Sequence, residues 1–176
     1  SCSSIPHGNL AAQLLSSEHN WINRVVTFAG ERTEDGCNSG CRAATHECEI
    51  IIHPDNSNVV WVAAQGPLWN KGDQRGLYKT TNGGKDWKKV LGDDQWTGVT
   101  DIMIDPRNPN ILYAATWDRH RTVAALMGGG PGTAIYRSDD GGENWTKLTN
   151  GLPKSNMGKI GIAISSQNPD VIYAAI

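Results

Sequence analysis

Three stretches of the chain repeat one order of apolar and polar positions and align without gaps. They are IIIHPDNSNVVWVAA (Ile50 to Ala64), IMIDPRNPNILYAAT (Ile102 to Thr116) and IAISSQNPDVIYAAI (Ile162 to Ile176). Each reads as a short apolar strand, a polar turn and a second apolar strand. Proline suits such a turn because it fixes φ, and asparagine because it tolerates the left-handed region and bonds its own backbone. The second strands, VVWVAA, ILYAAT and VIYAAI, are nearly continuous apolar runs, which predicts burial on both faces. Their equivalent residues Ile50, Ile102 and Ile162 lie 52 and 60 residues apart, so the chain is built from repeats.

After the first two segments come a loop, a third strand (GLYKT, Gly76 to Thr80; AIYRS, Ala134 to Ser138), a turn, and a fourth strand within DWKKVL or NWTKLT. Four short antiparallel strands per unit predict an all-β fold of β-propeller-type blades, about two and a half of them over residues 49–176. Closed propellers take about four to eight blades, and an incomplete set exposes strand edges. The expectation is therefore further blades in a longer protein, or blades supplied by another chain in an oligomer.

The turns between third and fourth strands share the pattern S/T-x-D/N-x-G-x-x-W. One runs from Thr80 through Asn82 and Gly84 to Trp87, the other from Ser138 through Asp140 and Gly142 to Trp145. The hydroxyl and the Asp or Asn side chain are suited to accept bonds from the turn's own amides, and glycine permits positive φ. The tryptophan returns on the next strand to pack beside the turn.

This pattern resembles the Asp-box, or BNR, repeat of sialidases, sortilin-type receptors and some endoglucanases. The segments GLYKTTNGGKDWKKVL, DPRNPNILYAATW and IYRSDDGGENWTKLTNGLP look like the bacterial WD40/YVTN/BNR-like repeat proteins, often labelled sortilin N-terminal-like or glycosyl-hydrolase-like. The resemblance covers Glu49 to Ile176. It implies a multi-bladed propeller in an exported protein, extracellular or periplasmic, and places the Asp-box at a blade edge. Asp140 is then structural.

Residues 1–48 show no blade. TEDGCNSGC (Thr33 to Cys41) carries Cys37 where the turn needs glycine and has no tryptophan. Leu10, Ala11, Leu14, Leu15, Trp21, Ile22, Val25 and Val26 fall on one helical face, so Asn9 to Val26 reads as an amphipathic helix able to cover an open blade edge. Cys2, Cys37, Cys41 and Cys48 are an even set confined to this segment, which predicts disulfides and an oxidising compartment. A metal knuckle of Cys37, Cys41, His46 and Cys48 lacks a strong zinc spacing, so no metal is expected. No cofactor is expected either.

A formal net charge of −2 over 176 residues gives no global field to recruit nucleic acid or an anionic membrane. No apolar run is long enough for a membrane span. The N-terminus lacks the regions of a signal peptide, so an export signal is expected to have been removed already.

Candidate chemistry lies in the loops between second and third strands, since propeller function resides on loops at the channel mouth. They are QGPLWNKGDQRG (Gln65 to Gly76), with Trp69, Lys71, Asp73 and Arg75, and WDRHRTVAALMGGGPGT (Trp117 to Thr133), with Trp117, Asp118, Arg119, His120 and Arg121. Tryptophans that stack on sugar rings and arginines that grip carboxylates suit a carbohydrate or a protein partner. Under that reading Trp69 and Trp117 are solvent-accessible; the competing expectation is that they fill gaps between blades. A glycoside hydrolase on a polysaccharide is the alternative, with Asp73 and Asp118 as the carboxyl pair it requires. A structural subunit of a larger assembly is a third. The triple glycine Gly128 to Gly130 has neither the strand-to-helix context nor the following Lys-Ser/Thr of a phosphate loop.

Overall fold

The computed structural model describes residues 49–69, 71–72, 75–92 and 96–176. The helix expected over Asn9 to Val26, the four cysteines and Asp73 lie outside the described residues.

The fold is all-β, with no helix among the described residues. Strands β1 (Glu49–His53), β2 (Asn56–Ala64), β3 (Gly76–Thr80) and β4 (Lys88–Leu91) form a first antiparallel blade in that order. The second blade orders β5 (Thr97–Asp105), β6 (Asn108–Asp118), β9 (Ala134–Ser138) and β10 (Thr146–Leu148) in the same way. Between β6 and β9 a two-stranded hairpin, β7 (His120–Arg121) with β8 (Leu126–Met127), is inserted. A third unit consists of β11 (Gly161–Ile164) and β12 (Ile172–Ala175). Two blades and the inner half of a third make a partial β-propeller.

Period-2 patterning places the core between blades. Along β6, Leu112 and Ala114 join Trp61, Ala63, Leu77, Val99 and Ile102 in a cluster between the first and second blades. The intervening Tyr113 and Ala115 join Ile135, Met157, Ile160 and Ile162 between the second and third. This explains the continuous apolar run of ILYAAT: a strand between two blades has no wet face. VVWVAA is buried likewise over Val60 to Ala63. VIYAAI differs, with Tyr173 to Ile176 exposed, because among the described residues no strand or blade covers β12.

Because strands alternate direction, the connections fall at two ends. Turns β1–β2, β3–β4, β5–β6, β9–β10 and β11–β12 share one end. Connections β2–β3, β4–β5, β6–β9 and β10–β11 share the other, the loop end.

At the turn end the two repeated turns are superimposable bond for bond. The amides of Gly84 and Gly142 donate to the hydroxyls of Thr80 (3.0 Å) and Ser138 (2.8 Å). Oδ1 of Asn82 accepts from the amides of Lys85 and Asp86, as Oδ1 of Asp140 accepts from those of Glu143 and Asn144. Gly83 and Gly141 donate to the carbonyls of Asn58 and Asn110 on the neighbouring strand. The paired glycines have φ of 69° and 80° in one turn, 72° and 85° in the other, a region closed to most side chains. The bonds from Asn144 and Ser138 hold the Asp140 carboxyl well below the usual aspartate range.

The second turn also clamps the first blade. The indole Nε1 of buried Trp61 donates to Gly141 O (3.2 Å), and Glu143 bridges Lys79 and Lys88, each at 2.7 Å. A Cβ on Gly142 would lie 2.9 Å from Trp61 Nε1. Arg107, on the β5–β6 turn, pairs with Asp105 and reaches Asp170 on the β11–β12 turn (2.8 Å each).

A second inter-blade device repeats on the inner strands. The Glu49 carboxyl on β1 accepts from Ile102 N on β5 (2.8 Å), and Asp101 on β5 accepts from Ile162 N on β11 (2.7 Å). Glu49 and Asp101 occupy equivalent repeat positions and bond each other. Burial first, then the hydrogen bond and charge of Asp101, push the Glu49 carboxyl up to about 7, against the Ile102 amide.

Candidate functional site at the loop end

The β2–β3 loop is wound around Arg75. Its fully buried guanidinium donates from Nη1 to Gln65 O (2.7 Å) and from Nη2 to Pro67 O. Gly66, at φ 77°, allows this approach, since a Cβ there would sit 2.2 Å from Arg75 Cγ. Arg75 therefore shapes the loop from within.

Trp96 lies at the hub of the loop end, in the β4–β5 connection. Its ring lies 4.2 Å from that of His120, tilted by 32°, with Arg75 at 5.9 Å and Lys71 at 5.6 Å from its centroid. The amide of Arg119 donates to Trp96 O (3.4 Å), and that of Arg121 to Leu68 O (2.9 Å), joining the loops of adjacent blades. The Arg121 guanidinium lies 5.1 Å over Trp69, and that of Arg119 4.9 Å over Trp117. Two tryptophan–arginine stacks thus stand at the loop end, one of them joining the β2–β3 loop to the β7–β8 hairpin. Trp69 is 55% exposed; Trp117 is half-buried, its Nε1 donating to Gly128 O (3.0 Å).

Trp117 and Asp118 close strand β6, and the long loop begins after them. Asp118 is buried, with both carboxylate oxygens engaged: Thr97 Oγ1 donates to Oδ1, and Gly132 N to Oδ2 (2.8 Å). A Cβ on Gly130 or Gly132 would fall 2.4 or 2.3 Å from that carboxylate, and one on Gly129 2.4 Å from Met157 O. The glycine-rich stretch thus serves close packing around Asp118 and against Met157, to which Gly130 is bridged.

The structure brings Trp69, Arg75, Trp117, Arg119, His120 and Arg121 to one end of the blades. Sequence reasoning missed Trp96, which precedes β5 and lies in neither of the two loops singled out. The other carboxyl pair, Glu49 with Asp101, lies on the inner strands, where each carboxyl accepts from a backbone amide of the next unit. Among the described residues no group of three or more His, Cys, Asp or Glu side chains is placed to hold a metal. No helix of the described residues is long and apolar enough to cross a membrane.

No protein-family model matches the chain, and no curated protein matches it. Among solved structures it is similar to an ancestral GH74 enzyme, with 22% identity and a TM-score of 0.54 over 72% of this chain and 15% of that one. It is also similar to the GH74 xyloglucanase from Xanthomonas campestris, with 14% identity and a TM-score of 0.51 over 86% of this chain and 20% of that one. The chain spans a fifth or less of the length of either. At these identities the likeness is one of fold alone: a β-propeller, present here in part.

Proposed function

We propose that the chain is part of an exported, Asp-box β-propeller that recognises carbohydrate through loops 65–76 and 117–133. The carrying observation is the pair of stacks, Trp69 under Arg121 and Trp117 under Arg119, at a loop end whose connections are tied to each other by backbone bonds. An indole held by a guanidinium is pre-organised, so a sugar ring meets an apolar platform at little ordering cost. Arg119 and Arg121 have no carboxylate partner among the described residues. Each retains donors for sugar hydroxyl or carboxylate oxygens. The fold likeness to GH74 enzymes, one of them named a xyloglucanase, supports a carbohydrate ligand. Binding is favoured over hydrolysis because the Asp118 carboxylate is buried and taken up by Thr97 and Gly132. Space outside the cell is the compartment that fits such a ligand.

A glycan array carrying neutral and uronate-containing oligosaccharides, xyloglucan fragments included, tests this reading. The expected result is retention of the chain on a defined glycan class with no release of reducing ends. Release of reducing sugar gives the protein to hydrolysis, and no retention on any glycan overturns the carbohydrate reading.

A further inference from the structure

A cleft of about 530 Å³ opens at the loop end, between the glycine-rich stretch before β9 and the connection from β10 to β11. That volume lies inside the roughly 300–1,000 Å³ of small-molecule sites. The cleft includes neither tryptophan–arginine stack, yet it begins close to one of them. Gly128 O accepts from the Trp117 indole, and Gly130, two residues on, lines the cleft. Two residues span at most about 7 Å. A glycan chain seated on Trp117 therefore has the cleft within reach of its neighbouring sugars.

Its lining combines apolar surface, spare hydrogen-bonding groups and positive charge. Buried Met157 and half-buried Leu148 and Leu152 supply the apolar part. Thr133 is buried, and its Oγ1 accepts from Asp118 N (3.0 Å), which leaves the hydroxyl proton to donate. Lys147 and Lys154 also line the cleft, and neither has a carboxylate partner among the described residues. Lys147 Nζ reaches only the Pro131 carbonyl (3.4 Å). No carboxylate belongs to the lining, and the two connections that form it are described without a break. From Arg119 to Pro169 the sequence has only Asp139, Asp140 and Glu143 as acids, all in the β9–β10 turn at the opposite end of the blade. They are taken up by Arg137, by the turn's own amides, and by Lys79 with Lys88. Asp118, packed against Gly130 and Gly132, is buried and engaged by Thr97 and Gly132.

We propose that this cleft takes an acidic sugar, a uronate residue of a glycan whose neighbouring ring stacks on Trp117. Lys147 and Lys154 attract its carboxylate, and the apolar side chains meet the face of its ring. The inference rests on the carbohydrate reading and narrows it to uronate-containing chains. Both lysines are exposed, so the attraction is that of surface ion pairs, modest in size and screened by salt.

The test uses the full 176-residue chain and oligosaccharides of galacturonan, glucuronoxylan and alginate, each beside its carboxyl-reduced, neutral counterpart. The expected result is a preference of about fivefold or more for the uronate member of at least one pair, shrinking as salt rises. Lys147→Gln with Lys154→Gln should bring that ratio close to one. Both side chains lie in solvent, so the double variant should melt with the wild type. Trp69→Ala should weaken both members of a pair alike and leave the ratio unchanged. Equal retention of uronate and neutral members overturns the proposal and leaves the carbohydrate reading standing. A preference that survives the lysine double variant overturns it too, and its loss in Arg119→Gln would place the acid on the Trp117 stack. No retention of any oligosaccharide overturns both readings together.

Discussion

The two ends of the blades solve different problems with the same strands. At the turn end, Thr80 to Trp87 and Ser138 to Trp145 differ in most residues yet make the same hydrogen bonds at equivalent positions. At the loop end, the described residues of 65–75 and 117–133 are built differently: one loop winds around Arg75, and the other grows a hairpin and packs glycines around Asp118. Repetition marks the end that holds blades together. Divergence marks the end free to acquire a ligand, since insertions there leave the inter-blade clusters untouched.

If that division is right, the largest stability losses come from the turn end and the core beneath it. Trp61→Ala should cost about 3 to 5 kcal/mol. It empties a buried site between two blades and strands the Gly141 carbonyl that the indole serves. Trp145→Ala, on a half-buried ring whose Nε1 donates to Gly142 O, should cost less, roughly 2 kcal/mol. Denaturant melts of both variants check the order, and a Trp61 variant near wild type would break the comparison at its strongest point.

Next comes Ser138→Ala. The hydroxyl is buried, accepts from Gly142 N and Asp140 N, and donates to Asp140 Oδ1. Its loss should cost about 1 to 2 kcal/mol. Thr80→Ser, which keeps the same bonds in the other turn, should be nearly silent. Equal losses from the two changes would mean that packing and not hydrogen bonding maintains these turns.

The turn end was legible in the sequence for a physical reason. Its bonds run from a side chain to amides two to four residues away, so residue type and spacing specify them. The register of the blades was legible too, because a strand between two blades must be apolar on both faces. The loop end was only partly legible. That Arg75 would be buried, and that Asp118 would be engaged by Thr97 and Gly132, depends on contacts 8 to 21 residues apart that no local pattern encodes. Strand β5 begins at Thr97, ahead of the apolar run at Ile102, with TGVT buried despite its polar content. The Glu49–Asp101 contact was accessible in principle: both residues immediately precede the first isoleucine of an aligned repeat.

That contact gives a smaller effect with a definite sign. The Glu49 carboxyl sits at about 7 in the folded chain against an ordinary value of 4.5, so folding favours its neutral form. Its contribution is fully present below about 4.5 and is lost as pH rises through about 7. Glu49→Gln keeps an acceptor for Ile102 N and offers Asp101 a permanent donor. The variant should match wild type at pH 4 and exceed it at pH 8 in thermal midpoint. A wild-type excess at pH 8 would show that the ionised carboxylate, and not the shared proton, staples the inner strands.

The smallest effect on stability should come from Trp69→Ala, and there the comparison is sharpest. Trp69 is as large as Trp61, yet it lies 55% exposed on a loop, outside both inter-blade clusters. Its removal releases Arg121 from one stack but leaves the backbone bond from Arg121 to Leu68 in place. The change in unfolding free energy should stay within about 0.5 kcal/mol. The cost should appear in ligand affinity instead, as a loss of about tenfold or more for whichever oligosaccharide the array identifies, since one stacked ring contributes on the order of 1.4 kcal/mol. Titration calorimetry beside a thermal melt separates the two quantities. A Trp69 variant that unfolds early would make the loop end part of the scaffold, and the contrast between the two ends of the blades would collapse.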